Sequence, residues 1–211
     1  MMNRTVIGLS GVAGAGKDLF FQLLSKELPV RRFALADALK RETSAWTTKQ
    51  YGIDAVNCSR EEKELIRPFL VSHGIQKRKQ SKGRHWIDAL DKEIKGFLLN
   101  AQTDDIPVIT DIRYQEFEKD EVHWLTQELG GVLVHVSQFT TSRLAGSRSP
   151  FKVPTQKYKQ PANEEEKRMD PILKSLAKYR VDWPTVDEEL HKSAVLYRHV
   201  NDFVKWYEKH K

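Results

Sequence analysis

The 211-residue sequence holds one cysteine, Cys58, so neither an internal disulfide nor a cysteine-based zinc site can be built from it. It has no run approaching the ~20 consecutive apolar residues of a membrane-spanning helix. Neither glycine (11) nor proline (8) is abundant, and aromatics make up only 9%, which excludes collagen-like, coiled-coil and disordered classes. The lack of paired cysteines suits an intracellular, cytoplasmic protein with no membrane partner. What is present is 39% apolar residues, enough to bury a core of one domain's size.

The first residues mimic an export signal, with Arg4, a mildly apolar run over 5–12, and Ala13-Gly14-Ala15 as a small-residue site. Gly8, Ser10 and Gly11 interrupt that run and Lys17 follows it. A strand and a loop make better use of those residues.

The net charge is +6, and it is unevenly spread. Residues 76–84 hold Lys77, Arg78, Lys79, Lys82 and Arg84 with no acid, and residues 143–162 hold Arg143, Arg148, Lys152, Lys157 and Lys159 with no acid. Both runs read as loops. They suit small anionic ligands at least as well as nucleic acid.

Short β-branched runs at 5–9, 31–35, 106–110, 132–136 and 179–183 read as strands. Helical spacing covers 17–28, 37–48, 83–101, 115–129, 164–178 and the region around 196–207. Ser59 and Glu62 form a capping-box pair that opens a further helix, which Pro68 should kink or split. Residues 138–163 lack periodicity and contain three prolines, as a functional lid would. Alternating strands and helices point to an α/β fold, a parallel sheet with helices on both faces.

Between the first strand and first helix, Gly11, Val12, Ala13, Gly14, Ala15, Gly16 and Lys17 fit G-x-x-x-x-G-K. Small residues there let backbone N–H groups wrap phosphate oxygens, the helix start adds positive dipole, and the lysine reaches the outer phosphates. The next position, usually Ser or Thr on Mg²⁺, is Asp18. A carboxylate ~4 Å from a phosphate charge costs on the order of 4 kcal/mol at an effective dielectric of 20, so a cation between them is expected. A first-turn carboxylate is also favourable with the helix dipole alone.

The order of several further motifs resembles the phage deoxynucleoside monophosphate kinases, within the nucleoside monophosphate kinase type of P-loop kinase. They are G-K-D at 16–18, F-A-L-A-D-A-L-K at 33–40, R-P-F-L-V-S-H-G at 67–74, H-W-I at 85–87, T-D-I-R at 110–113 and G-V-L-V-H-V at 131–136. Members often carry basic residues in the loop and Thr after G-K-D, where this chain has Ala13, Gly14 and Leu19.

The resemblance implies one P-loop kinase domain over 1–211, with a five-stranded parallel sheet in the order 2-3-1-4-5. It implies an acceptor-binding helical region at about 36–104 and a lid insertion at about 138–165. ATP would bind through Gly11, Ala13, Gly14, Ala15, Gly16, Lys17, Asp18 and Leu19, with Mg²⁺ near Asp18 and Asp111. Asp37, Lys40, Arg67 and Arg113 would face a deoxynucleoside monophosphate. Lys17, Arg113 and the lid arginines Arg143 and Arg148 would act in phosphoryl transfer. A phage-encoded member would work in the host cytoplasm, and a homodimer stays open.

Each residue also has a plainer role. Asp111 and Asp37 could cap helices, Lys40 and Arg67 could be solvated, and Trp46 and Trp86 fit the core better than a base-stacking site. His73, His85 and His135 show no metal-ligand spacing, and no Ser-His-Asp arrangement is legible. Phosphomevalonate kinases share G-K-D and D-x-R, and dephospho-coenzyme A kinase shares the architecture. Outside this class, the two basic runs could serve a nucleotide-switched nucleic-acid binder, although nucleic acid is the less favoured partner. A nucleotide-binding scaffold without turnover is the remaining reading.

Overall fold

The computed structural model describes residues 4–100, 103–142, 155–185 and 194–211. Aliphatic residues without a polar break at 6–7, 106–109 and 132–134 suit strands buried on both faces, and these form the centre of one sheet. Strand β1 (Ile7–Ser10) lies between β3 (Ile106–Ile109) and β4 (Val132–Ser142), with β2 (Val30–Phe33) outside β3. On the far side of β4, the strand at Tyr179–Pro184 runs parallel to it from Val134 to Phe139. These five parallel strands have the expected order 2-3-1-4-5.

A sixth strand was not expected. Residues Thr155–Tyr158 form β5, antiparallel to the far end of β4 with Phe139 opposite Tyr158. The strand at Tyr179–Pro184 is therefore β6. The start of the aperiodic stretch at 138–163 is thus an extension of β4.

Side-chain alternation divides the core between the two faces. Ile7, Leu9, Val134 and Val136 point to one face, packed with α1 (Lys17–Leu24) and α7 (Ala194–His210) through Phe20, Leu196, Val200 and Phe203. Val6, Phe33, Ile109 and Leu133 point to the other. There they meet α2 (Leu35–Tyr51), α4 (Arg84–Leu99) and α6 (Glu164–Leu176) through Leu35, Ile87, Leu90, Met169 and Leu173. Helix α3 (Arg60–Gln80) opens with the expected Ser59–Glu62 capping box and runs through Pro68 without splitting.

Three expectations are corrected. The basic run at 76–84 is not a loop: Lys77, Arg78 and Lys79 are the last turn of α3, and Arg84 begins α4. Trp46 is 43% exposed and stacks on Phe69 at 4.1 Å, while Trp86 is buried as expected. The helix expected at 115–129 shrinks to α5 (Glu121–His123) and a π-helical turn over Trp124–Glu128.

One residue accounts for that shortening. The buried Asp120 carboxylate accepts N–H bonds from Glu116 (2.8 Å), Phe117 (3.1 Å) and Glu121 (3.0 Å), which folds 116–120 into a turn instead of a helix. Its charge is paired with the buried Arg78, whose guanidinium also reaches Glu116 at 3.3 Å and lies 3.9 Å from the Tyr114 ring centroid. Arg78→Met should leave the Asp120 charge buried and unpaired, at a cost of ~3–5 kcal/mol. Urea unfolding should show a lower midpoint with unchanged slope. An unchanged midpoint would mean the three amides alone satisfy Asp120.

Candidate functional site

The glycine-rich turn leaves β1 tightly against its neighbour. Gly11 has φ 132°, and a Cβ there would lie 2.2 Å from the Val136 carbonyl oxygen, so only glycine lets the chain turn under β4. Gly16, at φ 90°, precedes the first turn of α1 and sits against the Trp183 ring of β6. Trp183 Nε1–H also donates to the Ala15 carbonyl at 3.0 Å. The loop is thereby pinned from two strands, with the N–H groups of α1's first turn at its mouth.

Cations gather around it. Lys17 folds back over the loop, its ammonium donating to the carbonyls of Gly11 (2.6 Å) and Val12 (3.0 Å). Burial, helped by the nearby Arg113, holds Lys17 below the usual lysine pKa, against Glu166, Asp18 and Asp111, which raise it. The exposed guanidinium of Arg113 has no ion pair among the described residues. Lys159, beyond β5, lies over Gly14, where a Cβ would be 3.1 Å from its Cε.

An anion already meets this ring. Glu166, in the first turn of α6, accepts the Ala13 N–H with both carboxylate oxygens at 3.2 Å and the Ala162 N–H at 2.9 Å. Its own N–H donates to the helix-capping Asn163 side chain at 2.8 Å. A side-chain carboxylate thus engages a backbone donor of the glycine-rich turn.

The other candidates divide. Asp111, at the end of β3, is buried and caps α2, accepting from the N–H groups of Leu35 and Ala36 at 2.8 Å each. Asp18 is exposed in the first turn of α1, and Leu19 packs toward the core beneath it. Asp37 is held by Arg32 (2.6 Å) and Lys40 (3.1 Å); burial opposes its ionisation, but these bonds outweigh it and keep its pKa low. Arg67 bonds Glu64 at 2.7 Å on the exposed side of α3. Arg143 and Arg148 lie outside the described residues.

No family model and no curated protein matches the chain. Among solved structures, the dephospho-CoA kinase from Campylobacter jejuni is similar at 11% identity and a TM-score of 0.41, covering 97% of each chain.

Residues that the sequence did not single out complete the site. Trp183 carries no sequence signal of its role. Glu166 was visible only as the third residue after Asn163, a capping spacing. Lys159 was one charge in a basic run. Glu121 is buried behind the strand end, its Oε2 accepting from the N–H groups of Arg113 (2.6 Å) and Tyr114 (3.0 Å). Burial, opposed by the Arg113 N–H and reinforced by Asp120 and Asp111, pushes its pKa up to about 8.

Two outcomes are expected from these contacts. Glu166→Ala should free the Ala13 amide and tighten pyrophosphate binding about tenfold, since a hydrogen bond to a charged group is worth ~1.5–3 kcal/mol. Calorimetric titration reads this, and unchanged affinity would make the contact incidental. The second outcome concerns Glu121. Its pKa is raised on folding, so its contribution to stability is full below about 4.5 and is lost as pH rises through about 8. Glu121→Gln, which keeps an oxygen for both amides, should remove this pH-dependent loss from the urea midpoint.

Proposed function

We propose that this protein is a kinase that moves the γ-phosphoryl group of ATP to a deoxynucleoside monophosphate. The observation that carries the proposal is the loop's engagement of the Glu166 carboxylate beside Lys17 and Arg113: the turn between β1 and α1 is set to bind anions. Three features support the nucleotide reading: the G-x-x-x-x-G-K spacing, the parallel sheet with its loop at the carboxyl ends of the strands, and Arg113 projecting from the end of the neighbouring strand.

Phosphoryl transfer depends on positioning and charge neutralisation more than on covalent chemistry. The loop amides would bind the donor phosphates, and Lys17 would exchange the Gly11 and Val12 carbonyls for phosphate oxygens. Arg113 would hold the acceptor phosphate, with Asp37 and Lys40 at the start of α2 and Arg67 on α3 ordering the acceptor side. Residues 138–165 would form the lid, with Arg143 and Arg148 closing over the transferring group and excluding water. The single domain would thus comprise a donor loop, an acceptor region at about 36–104 and this lid.

Hard carboxylate oxygens suit Mg²⁺, and the residues present fit it: Asp18 is exposed beside the loop, and Asp111 retains lone pairs after accepting its two amides. Asp18 would hold the ion directly or through water, and Asp111 through water. When bound, the ion neutralises charge building on the donor phosphates. The cytoplasm is the expected location.

The nucleic-acid reading loses support in the helical run at 76–84. Arg78 is buried against Asp120, Lys77 lies 3.9 Å from Glu42, and Arg84 pairs with Asp88 and Glu128. Three of the run's five cations are thus already engaged by acids.

The test is ADP release from MgATP with dGMP, dTMP, dCMP, dAMP, their ribose counterparts, phosphomevalonate and dephospho-coenzyme A. Turnover should be fastest on one or more deoxynucleotides. Lys17→Ala should fold normally and lose ~10²–10³ in kcat, the scale for removing one transition-state donor. Arg113→Ala should raise the acceptor KM more than the ATP KM. Turnover on phosphomevalonate or dephospho-coenzyme A alone overturns the acceptor, and nucleotide binding with no turnover on any compound overturns the kinase.

A further inference from the structure

A polar cluster stands beside the loop that the proposed transfer does not use. Alternation along β4 places Leu133, His135 and Ser137 on one face, which α6 covers with Asp170 and Lys174. His135 is 1% exposed; its Nε2 lies 3.0 Å from Asp170 Oδ1 and its Nδ1 3.2 Å from Ser137 Oγ. The sequence had shown no Ser-His-Asp arrangement, because Asp170 is 35 residues from His135 and only the packing of α6 on β4 joins them.

The hydrogen-bond logic is determined by the carboxylate. A carboxylate only accepts, so Nε2 carries the imidazole proton, and Nδ1 keeps the lone pair that accepts the Ser137 O–H. From the other side, Lys174 Nζ donates to Ser137 Oγ at 3.3 Å, itself held by Asp182 at 3.4 Å. A hydroxyl with a base on its proton and a cation on its oxygen is an activated nucleophile. Ser137 lines an open pocket of about 70 Å³ together with Val12 of the loop, Tyr158 and Lys159. It follows Val136, whose carbonyl lies against Gly11.

We propose that Ser137 is a self-phosphorylation site, taking the γ-phosphoryl group of the nucleotide held on the neighbouring loop. The proposal rests on reading that loop as the ATP site. A bond forms from Ser137 Oγ to the γ-phosphorus as the bond from that phosphorus to the bridging oxygen of ATP breaks, and ADP leaves. The Ser137 proton moves to His135 Nδ1, Asp170 stabilises the resulting imidazolium, and water then takes the proton. The phosphoserine would lie among Lys174 and Lys159, favourable for its charge, and would occupy the pocket at the edge of the loop.

The purified full chain is incubated with MgATP and no acceptor, then mapped by peptide mass. In parallel it is treated with a fluorophosphonate, which reports an activated serine without any nucleotide. One phosphoryl group on Ser137 and fluorophosphonate labelling at the same residue are expected. Ser137→Ala should lose both. The isosteric Asp170→Asn offers Nε2 an N–H donor and pulls the ring to the wrong tautomer, so both reactions should slow by ~10²–10⁴ with ATP affinity unchanged. Calorimetry supplies the control: MgATP binding with Ser137 unmodified and unlabelled overturns the proposal and leaves the loop reading standing. A chain that binds no nucleotide overturns both.

Discussion

The backbone N–H groups around the first turn of α1 dominate this structure, because donors at a helix start cannot find partners within their own helix. The residues around them respond to that constraint. Trp183 and the Val136 carbonyl hold the turn in place, and Lys17 and Arg113 add positive charge without neutralising one another. Glu166 supplies a negative group to Ala13. Burial of the Lys17 ammonium, helped by the Arg113 charge beside it, lowers its pKa, and the nearby acids Glu166, Asp18 and Asp111 work against this.

Helix α6 is the element on which this arrangement pivots. Its first turn carries Glu166 to the loop, and its next turns bring Asp170 and Lys174 over β4. Arg168, between them, bonds Glu116 at 2.9 Å, and Glu116 in turn meets Arg78 at the end of α3. A chain of ion pairs thus runs from the helices proposed to hold the acceptor to the helix that touches the glycine-rich turn. Its exposed links contribute little each. The buried Arg78–Asp120 pair contributes more to geometry, because it bends 116–120 away from helix and leaves Glu121 free to brace Arg113.

Charge in the sequence was a poor guide to charge on the surface. The run at 76–84 looked like one electropositive loop, yet helical geometry distributes its side chains around the end of α3 and the start of α4. Arg78 faces inward, Lys77 meets Glu42 of α2, and Arg84 pairs with Asp88 and Glu128. Lys159, by contrast, comes over Gly14 and joins the cations at the loop.

Local pattern determined the parallel strands, most of the helices and the glycine-rich turn between β1 and α1, because period, capping and glycine placement act over a few residues and need no distant partner. It also placed Lys17 at the start of α1 and Asp111 and Arg113 just past the end of β3, on the side where an α/β sheet puts its ligands. Only tertiary structure decided what those residues touch. That Asp111 caps α2, that Glu166 reaches Ala13, and that Asp170 completes a chain through His135 to Ser137 all follow from α2 and α6 packing on one sheet face. Contacts between residues tens of positions apart leave no periodic mark on the sequence. The sixth strand and the shortened α5 have the same origin, since pairing with β4 and the buried charge of Asp120 outweigh local preference.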